Sequence, residues 1–372
     1  MKAIRRSSQK VGEIELFRAI FSVIILLRHS EYLTGRAFVF IGGSFAVEFF
    51  FIVSGYLMMN SLERKRDVPI ENLAQETLQF VRKKALAIYP EIVLSFVIGF
   101  LVKCVSVSLS SGQIAELFSG SFFELILVQR TGVGTNSVNS VVWYIQSMLL
   151  CMIILYPLIR KYPEMMTRIV LPLGALLLLG WLSQNYNDLR GPGVWTGYTY
   201  KGNLRAMAEL CLGATCFFAV ERIRKIRFSR FARILFCAVK WACWIILILY
   251  MVDGRTKYDF FGCVLFCIAI VLSFSRICID QGIYQNSVVL FLGKFSVPLY
   301  FNHVYFAWNL NALLPQRMSD GAKMICYIVC SVAASILVML LAKRLRSGYP
   351  KLKIRLQRLF FARQTTDQFE QA

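Results

Sequence analysis

Four ionisable residues stand out because apolar sequence surrounds them. Arg18 and His29 lie in IELFRAIFSVIILLRH, Glu48 in FAVEFFFIVSGYLMMN and His303 in LYFNHVYF. A charge at bilayer depth costs at least about 2.5–3.5 kcal/mol, so a plain membrane anchor has no reason to carry one. Eleven positions separate Arg18 from His29, which is about 1100° of helix, or roughly 20° past three turns. The two share one face, about 16 Å apart along the axis. That face joins a cation near one membrane surface to a titratable imidazole deeper in. An imidazole suits a general base, and a carboxylate such as Glu48 on the next helix suits the group that orients it. Each residue also has a plainer reading. Arg18 can snorkel to the surface, His29 can hydrogen-bond between helices, and Glu48 can pair with Arg28 or Arg205. His303 completes the chain's two histidines and is expected at a depth similar to His29.

The elements that must position these residues are membrane helices. Apolar runs recur along all 372 residues, with 57% hydrophobic and only 17% charged, against about 25% charged in an average soluble domain. The expected fold is an all-α integral membrane protein of about ten transmembrane helices. The spans are placed near 14–34, 39–60, 86–108, 141–160, 169–186, 203–220, 232–252, 257–275, 288–311 and 322–342. Each is close to the roughly 20 residues needed to cross the hydrocarbon core. The segment 114–129 is short and amphipathic and reads as interfacial or re-entrant. Lys and Arg concentrate in alternate connecting segments, which places both termini in the cytoplasm. Residues 1–13 are then a cytoplasmic N-terminus, 14–342 the membrane domain and 343–372 a basic cytoplasmic tail. In that tail, 351–361 is a candidate surface helix and the last nine residues are expected to be disordered. No small-residue cleavage site follows the first apolar run, so no cleavable signal peptide is expected.

The net charge of +21 belongs to basic cytoplasmic loops rather than to nucleic-acid binding. The most basic loops, ERKRDVPIENLAQETLQFVRKK and ERIRKIRFSRFAR, set topology and can also rim a site for a polyanionic substrate. The cysteines lie mostly in apolar runs and form no C-x-x-C pair, so they read as buried apolar residues and no metal site is expected. Arg205 and Glu209 are spaced to pair on one helix. The loop NDLRGPGVWTGYTYKGN carries Trp195, Tyr198 and Tyr200, which suit either a sugar or the aromatic belt of a membrane interface. Ser54 lacks the G-x-S-x-G setting of a covalent nucleophile, and Gly55 beside it permits close helix approach.

At these residues the chain resembles membrane acyltransferase family three, bacterial enzymes that O-acylate surface glycans and other extracytoplasmic acceptors. ELFRAIFSVIILLRH resembles that family's R-x₁₀-H helix, and FAVEFFFIVSGYLM its acidic residue, Phe-Phe pair and Ser-Gly. VVWYIQSMLLCMIILYPLI, RAMAELCLGA and LGKFSVPLYFNHVYF are similar to later family helices. The resemblance implies a multi-pass protein of the bacterial inner membrane that moves an acyl group, most simply acetyl, from cytoplasmic acyl-CoA to a glycan hydroxyl. It implies His29, Glu48 and His303 at the reaction centre, and Arg18 with Arg82, Lys83 and Lys84 at the anionic donor. Arg205 and Trp195 are candidates for the glycan acceptor. One departure is visible. The family pattern R-x-x-R-x-x-Pro reads KKALAIYP here, so Lys84 keeps the first charge and Ala87 loses the second. A competing expectation is a transporter of polysaccharide or its precursor, with the buried charges as a proton relay.

Overall fold

Within a bilayer every peptide group must find its partner inside its own helix. The computed structural model describes residues 10–35, 39–133, 137–186, 188–254, 258–280, 282–315 and 317–369, with side chains to residue 347. Among these residues the chain is helical, with a single isolated bridge between Trp195 and Tyr200. Helix α1 (Gly12–His29) leads through the one-turn α2 (Glu31–Thr34) to α3 (Ala46–Glu63), α4 (Leu73–Val107) and the short α5 (Ser111–Leu125). Then come α6 (Trp143–Lys161), α7 (Pro163–Met165), α8 (Leu171–Tyr186), α9 (Lys201–Ile223) and α10 (Arg230–Asp253). Helices α11 (Asp259–Ser275), α12 (Ser287–Asn302), α13 (Val304–Leu313) and α14 (Asp320–Phe369) follow. Among the described residues, six helical stretches are long and apolar enough to cross a membrane: Gly43–Glu63, Leu73–Val107, Ser140–Lys161, Pro163–Tyr186, Arg230–Asp253 and Asp320–Ser347. The protein is a multi-pass membrane protein.

Three boundaries differ from the sequence expectation. Helix α4 starts 13 residues before the expected third span, because Asn72 caps it by accepting from the Gln75 amide at 2.9 Å. Neither Gly nor Pro interrupts it before Pro90, which the helix accommodates. The ninth span is split at His303 into α12 and α13. The Pro298 carbonyl is taken by the side chains of Asn302 (2.7 Å) and Ser335 (3.3 Å), and such bonds compete with the helical ladder. At the C-terminus α14 runs on to Phe369, through most of the stretch expected to be disordered. The amphipathic face expected over 351–361 and the N-terminal residues 1–9 lie outside what is described.

Small residues let the central helices meet. A Cβ on Gly55 of α3 would collide with the Leu210 carbonyl of α9, and one on Gly213 of α9 with the Ile52 carbonyl of α3. The two backbones therefore touch, the close approach that small residues permit in membranes. Aromatic rings fill the neighbouring core. Phe17 stacks on Trp244 at 3.9 Å between centroids, Tyr56 on Phe274 at 3.8 Å, and Phe21 packs against Phe49 and Phe266. Helix α1 also packs along α12, which brings the C-terminal ends of both together.

Gly213→Ala therefore forces α3 and α9 apart and destabilises by about 1–3 kcal/mol, the usual cost of overpacking. Gly180 of α8 has open space where its Cβ would be, so Gly180→Ala is neutral or stabilising. Thermal unfolding of the two variants in detergent separates them; equal midpoints would contradict the close crossing.

Candidate active site

His29 is the last residue of α1 and His303 the hinge between α12 and α13. Their rings lie 4.9 Å apart between centroids. His29 Nδ1 is 2.8 Å from the Ile25 carbonyl and His303 Nδ1 is 3.2 Å from the Leu299 carbonyl. A carbonyl only accepts, so the network assigns a proton to each Nδ1. His303 Nε2 then carries a lone pair, and it faces His29 Nδ1 at 3.3 Å. His29 therefore shares its Nδ1–H between Ile25 and His303. Its own Nε2 is left with a lone pair and no hydrogen-bond partner among the described residues. His303 is completely buried, whereas His29 is half-buried. The arrangement is a base with one imidazole behind another.

Glu48 does not orient His29. Its Oε1 pairs with Arg205 Nη2, and both side chains are sealed, at 1% and 3% exposure. The reason is rotational. α3 packs along α9, and the face of α3 that carries Glu48 turns to Arg205 rather than to α1. Arg205 also lies 3.9 Å from Glu209 and 5.3 Å over the Trp143 ring. It is thus a cation enclosed by Glu48, Glu209 and Trp143, at 3% side-chain exposure. Glu209 is fully buried beside the Glu48 carboxyl, and among the described residues no donor group hydrogen-bonds its oxygens. Arg28 pairs with Glu31, not with Glu48. Trp195 lies on the loop before α9, half exposed, edge-on to Tyr200 at 5.1 Å. The structure does not bring Arg205 and Trp195 into one contact.

At the other end of α1, Arg18 pairs with Glu15 at 3.4 Å. Lys84 lies within electrostatic range of Arg18 and Lys83, and its Nζ sits 5.6 Å over the Phe80 ring. Arg82 and Lys83 are exposed. Arg18 of α1 and Lys84 of α4 are close enough for each to feel the other's charge. The start of α4 is held by Glu76, which accepts from Tyr156 Oη at 2.7 Å and Arg160 Nε at 3.2 Å. At Ala87, where the family pattern would place a second arginine, Arg346 of α14 donates to the backbone carbonyl at 2.5 Å and pairs with Glu91. A guanidinium is present there, but a carboxylate already occupies it.

Several residues at the histidine end went unnoticed in the sequence. Glu124 of α5 accepts from Ser137 Oγ (2.7 Å) and from the amides of Val138 (2.8 Å) and Asn139 (2.9 Å). Burial pushes its carboxyl above the usual range, against those hydrogen bonds. Asn139 in turn donates to the Phe301 carbonyl at 2.7 Å, two residues before His303. The loop therefore braces the hinge. Tyr144 bridges Ser54 Oγ (3.0 Å) and the Phe50 carbonyl (3.1 Å). Tyr300 donates to the Val141 carbonyl at 3.1 Å and stands 6.0 Å from the His303 ring. The prior signals were an acidic residue on an amphipathic segment, a Trp-Tyr pair opening a span, and Ser54 and Tyr300 within the stretches that resemble family helices.

Arg205→Met strands two buried carboxylates, Glu48 and Glu209, at an expected cost of about 3–5 kcal/mol. Glu48→Leu costs clearly less, because Glu209 can close its 3.9 Å gap and take over the guanidinium. Thermal unfolding of both variants measures the asymmetry; a reversed order would contradict the three-residue network.

A family model described as an acyltransferase domain matches residues 11–344. No curated protein and no solved structure matches the chain. The chain belongs to acyltransferase family three and is a membrane acyltransferase.

Proposed function

We propose that this member of acyltransferase family three carries an acyl group, most simply acetyl, from acyl-CoA to a hydroxyl of a surface or lipid-linked glycan. In this reading ten helices cross the bacterial inner membrane, both termini face the cytoplasm, and α1 spans from donor to acceptor side. The observation that carries it is the bare Nε2 of His29, backed by His303, on the same helix as Arg18.

The donor is a polyanion, and the face formed by Arg18, Lys83 and Lys84, with Arg82 beside it, attracts it. The thioester reaches up the bundle toward His29. Nε2 of His29 takes the proton of the acceptor hydroxyl as the oxygen attacks the thioester carbon. The C–S bond breaks and the coenzyme thiolate receives the proton from the imidazolium. His303 holds the ring in the tautomer that leaves Nε2 bare, and Glu48 with Arg205 holds α3 against α9 around it. Family membership favours transfer over transport as the use of these buried charges.

His29→Ala abolishes transfer from labelled acetyl-CoA in membranes at unchanged expression. His303→Phe keeps the packing but loses the Nε2 acceptor, and lowers kcat by about 10²-fold, within the range for acid–base groups, with little change in KM. Full activity in His29→Ala would overturn the mechanism. On the donor side, Lys84→Gln raises KM for acetyl-CoA several-fold more than it lowers kcat. An unchanged KM would remove Lys84 from the donor site.

A further inference from the structure

Among the described residues, the guanidinium groups shielded from solvent mostly meet an acceptor. Arg160 has Glu76, Arg205 has Glu48, Arg28 has Glu31, and Arg224 has Glu221 and the Phe274 carbonyl. Arg130 differs. It follows α5 in the loop braced by Glu124, and it is half-buried. None of its side-chain donors has a hydrogen-bond acceptor among the described residues, and no carboxylate lies within 4 Å of it there. Its Nε is shut off from solvent and unpaired, as are those of Arg28 and Arg205, but each of those two has a carboxylate on an Nη group. Glu124 is within electrostatic range, but its oxygens are taken up by Ser137, Val138 and Asn139. Among its donors only Nε is both buried and unpaired, which is costly, and its Nη groups are left without a protein acceptor among the described residues.

Aromatic rings hold the group in place. The Arg130 Cζ lies 5.0 Å from the Tyr200 ring centre and 6.0 Å from that of Trp143. Tyr200 meets Trp195 edge-on at 5.1 Å, and Trp195 is 50% exposed. On the inner side Tyr300 is within electrostatic range of Arg130 and 6.0 Å from His303. An unpaired guanidinium thus stands between an exposed aromatic platform and the histidine pair. A guanidinium fork matches the planar geometry of an oxyanion, and an exposed ring offers an apolar face to a sugar.

We propose that Arg130, Tyr200 and Trp195 form the acceptor-recognition site and that it selects sugars bearing an oxyanion, either a carboxylate or a phosphate. The acceptor's ring lies against Trp195, its anionic group takes the Arg130 fork, and its hydroxyl is directed inward to His29. This rests on the glycan acceptor proposed above.

Binding is tested without turnover, on full-length His29→Ala protein in nanodiscs. Sodium glucuronate, glucose 1-phosphate and glucose are titrated at constant ionic strength, and thermal stabilisation is read. At least one of the two anionic sugars binds about tenfold tighter than glucose, equivalent to about 1.4 kcal/mol. Preference for glucuronate identifies a carboxylate and preference for glucose 1-phosphate a phosphate. The added substitution Arg130→Gln removes the preference, Arg130→Lys keeps part of it, and Trp195→Ala weakens all three sugars. Acetyl-CoA binding stays unchanged in each variant, which shows that the fold is retained. Equal binding of all three sugars, or a preference that survives in Arg130→Gln, overturns the proposal. Anion selectivity in a protein whose wild-type form transfers no acyl group would instead overturn the proposed function and leave this site standing.

Discussion

The rest of the structure depends on the ion pair between Glu48 and Arg205. Both groups are sealed from solvent, and an isolated charge in such a setting costs several kcal/mol. Neither can leave unless the other follows. The pair therefore fixes how α3 is rotated against α9, about two helical turns from where glycines bring the two backbones into contact. Trp143 lies over the same guanidinium, which adds α6 to the clamp. Three helices are thereby set at one angle around the centre where the histidines meet. Charge, which is expensive in lipid, serves here to define orientation.

The two ends of α1 then have separate tasks. Its N-terminal half carries Arg18, which belongs with the cations of α4. Its last residue is an imidazole that meets the hinge after α12. The helix is held at both ends. Near the start, Glu13 accepts from Lys240 (2.8 Å), Ser273 (2.9 Å) and Trp244 (3.1 Å), and Lys240 also pairs with Asp280. At the far end Tyr327 of α14 donates to the Leu26 carbonyl at 3.0 Å. A rigid rod between two sites suits a reaction in which both substrates must arrive at one line.

Much of this was legible in the sequence, and the part that was not has a physical cause. Helix content followed from the apolar runs. Arg18 and His29 on one face followed from the helical period, and the meeting of His29 with His303 agreed with their similar depth. The partner of Glu48 was not legible, because periodicity gives a face but not the direction in which that face points. His29 was the expected partner, with Arg28 and Arg205 as the plainer alternatives, until the packing of α3 on α9 decided for Arg205. The hinge at His303 was hidden because the side chains that compete for the Pro298 carbonyl come from Asn302 nearby and from Ser335 on another helix. Arg130 and Glu124 were hidden for a different reason. Outside the long apolar spans, on a short amphipathic helix or in a loop, a charged residue looks ordinary, and only burial makes it conspicuous.

The group behind His29 is neutral. A carboxylate there would attract the imidazolium and let it persist; an imidazole that already donates its own Nδ1 proton to Leu299 offers only a lone pair. In the proposed reaction His29 is thus a poor place to store a proton and a good place to pass one through. Proton removal from the acceptor and proton delivery to the departing sulfur become two halves of one event. An acceptor hydroxyl that arrives without a thioester in place then gives up nothing, and the site stays quiet until both substrates are present.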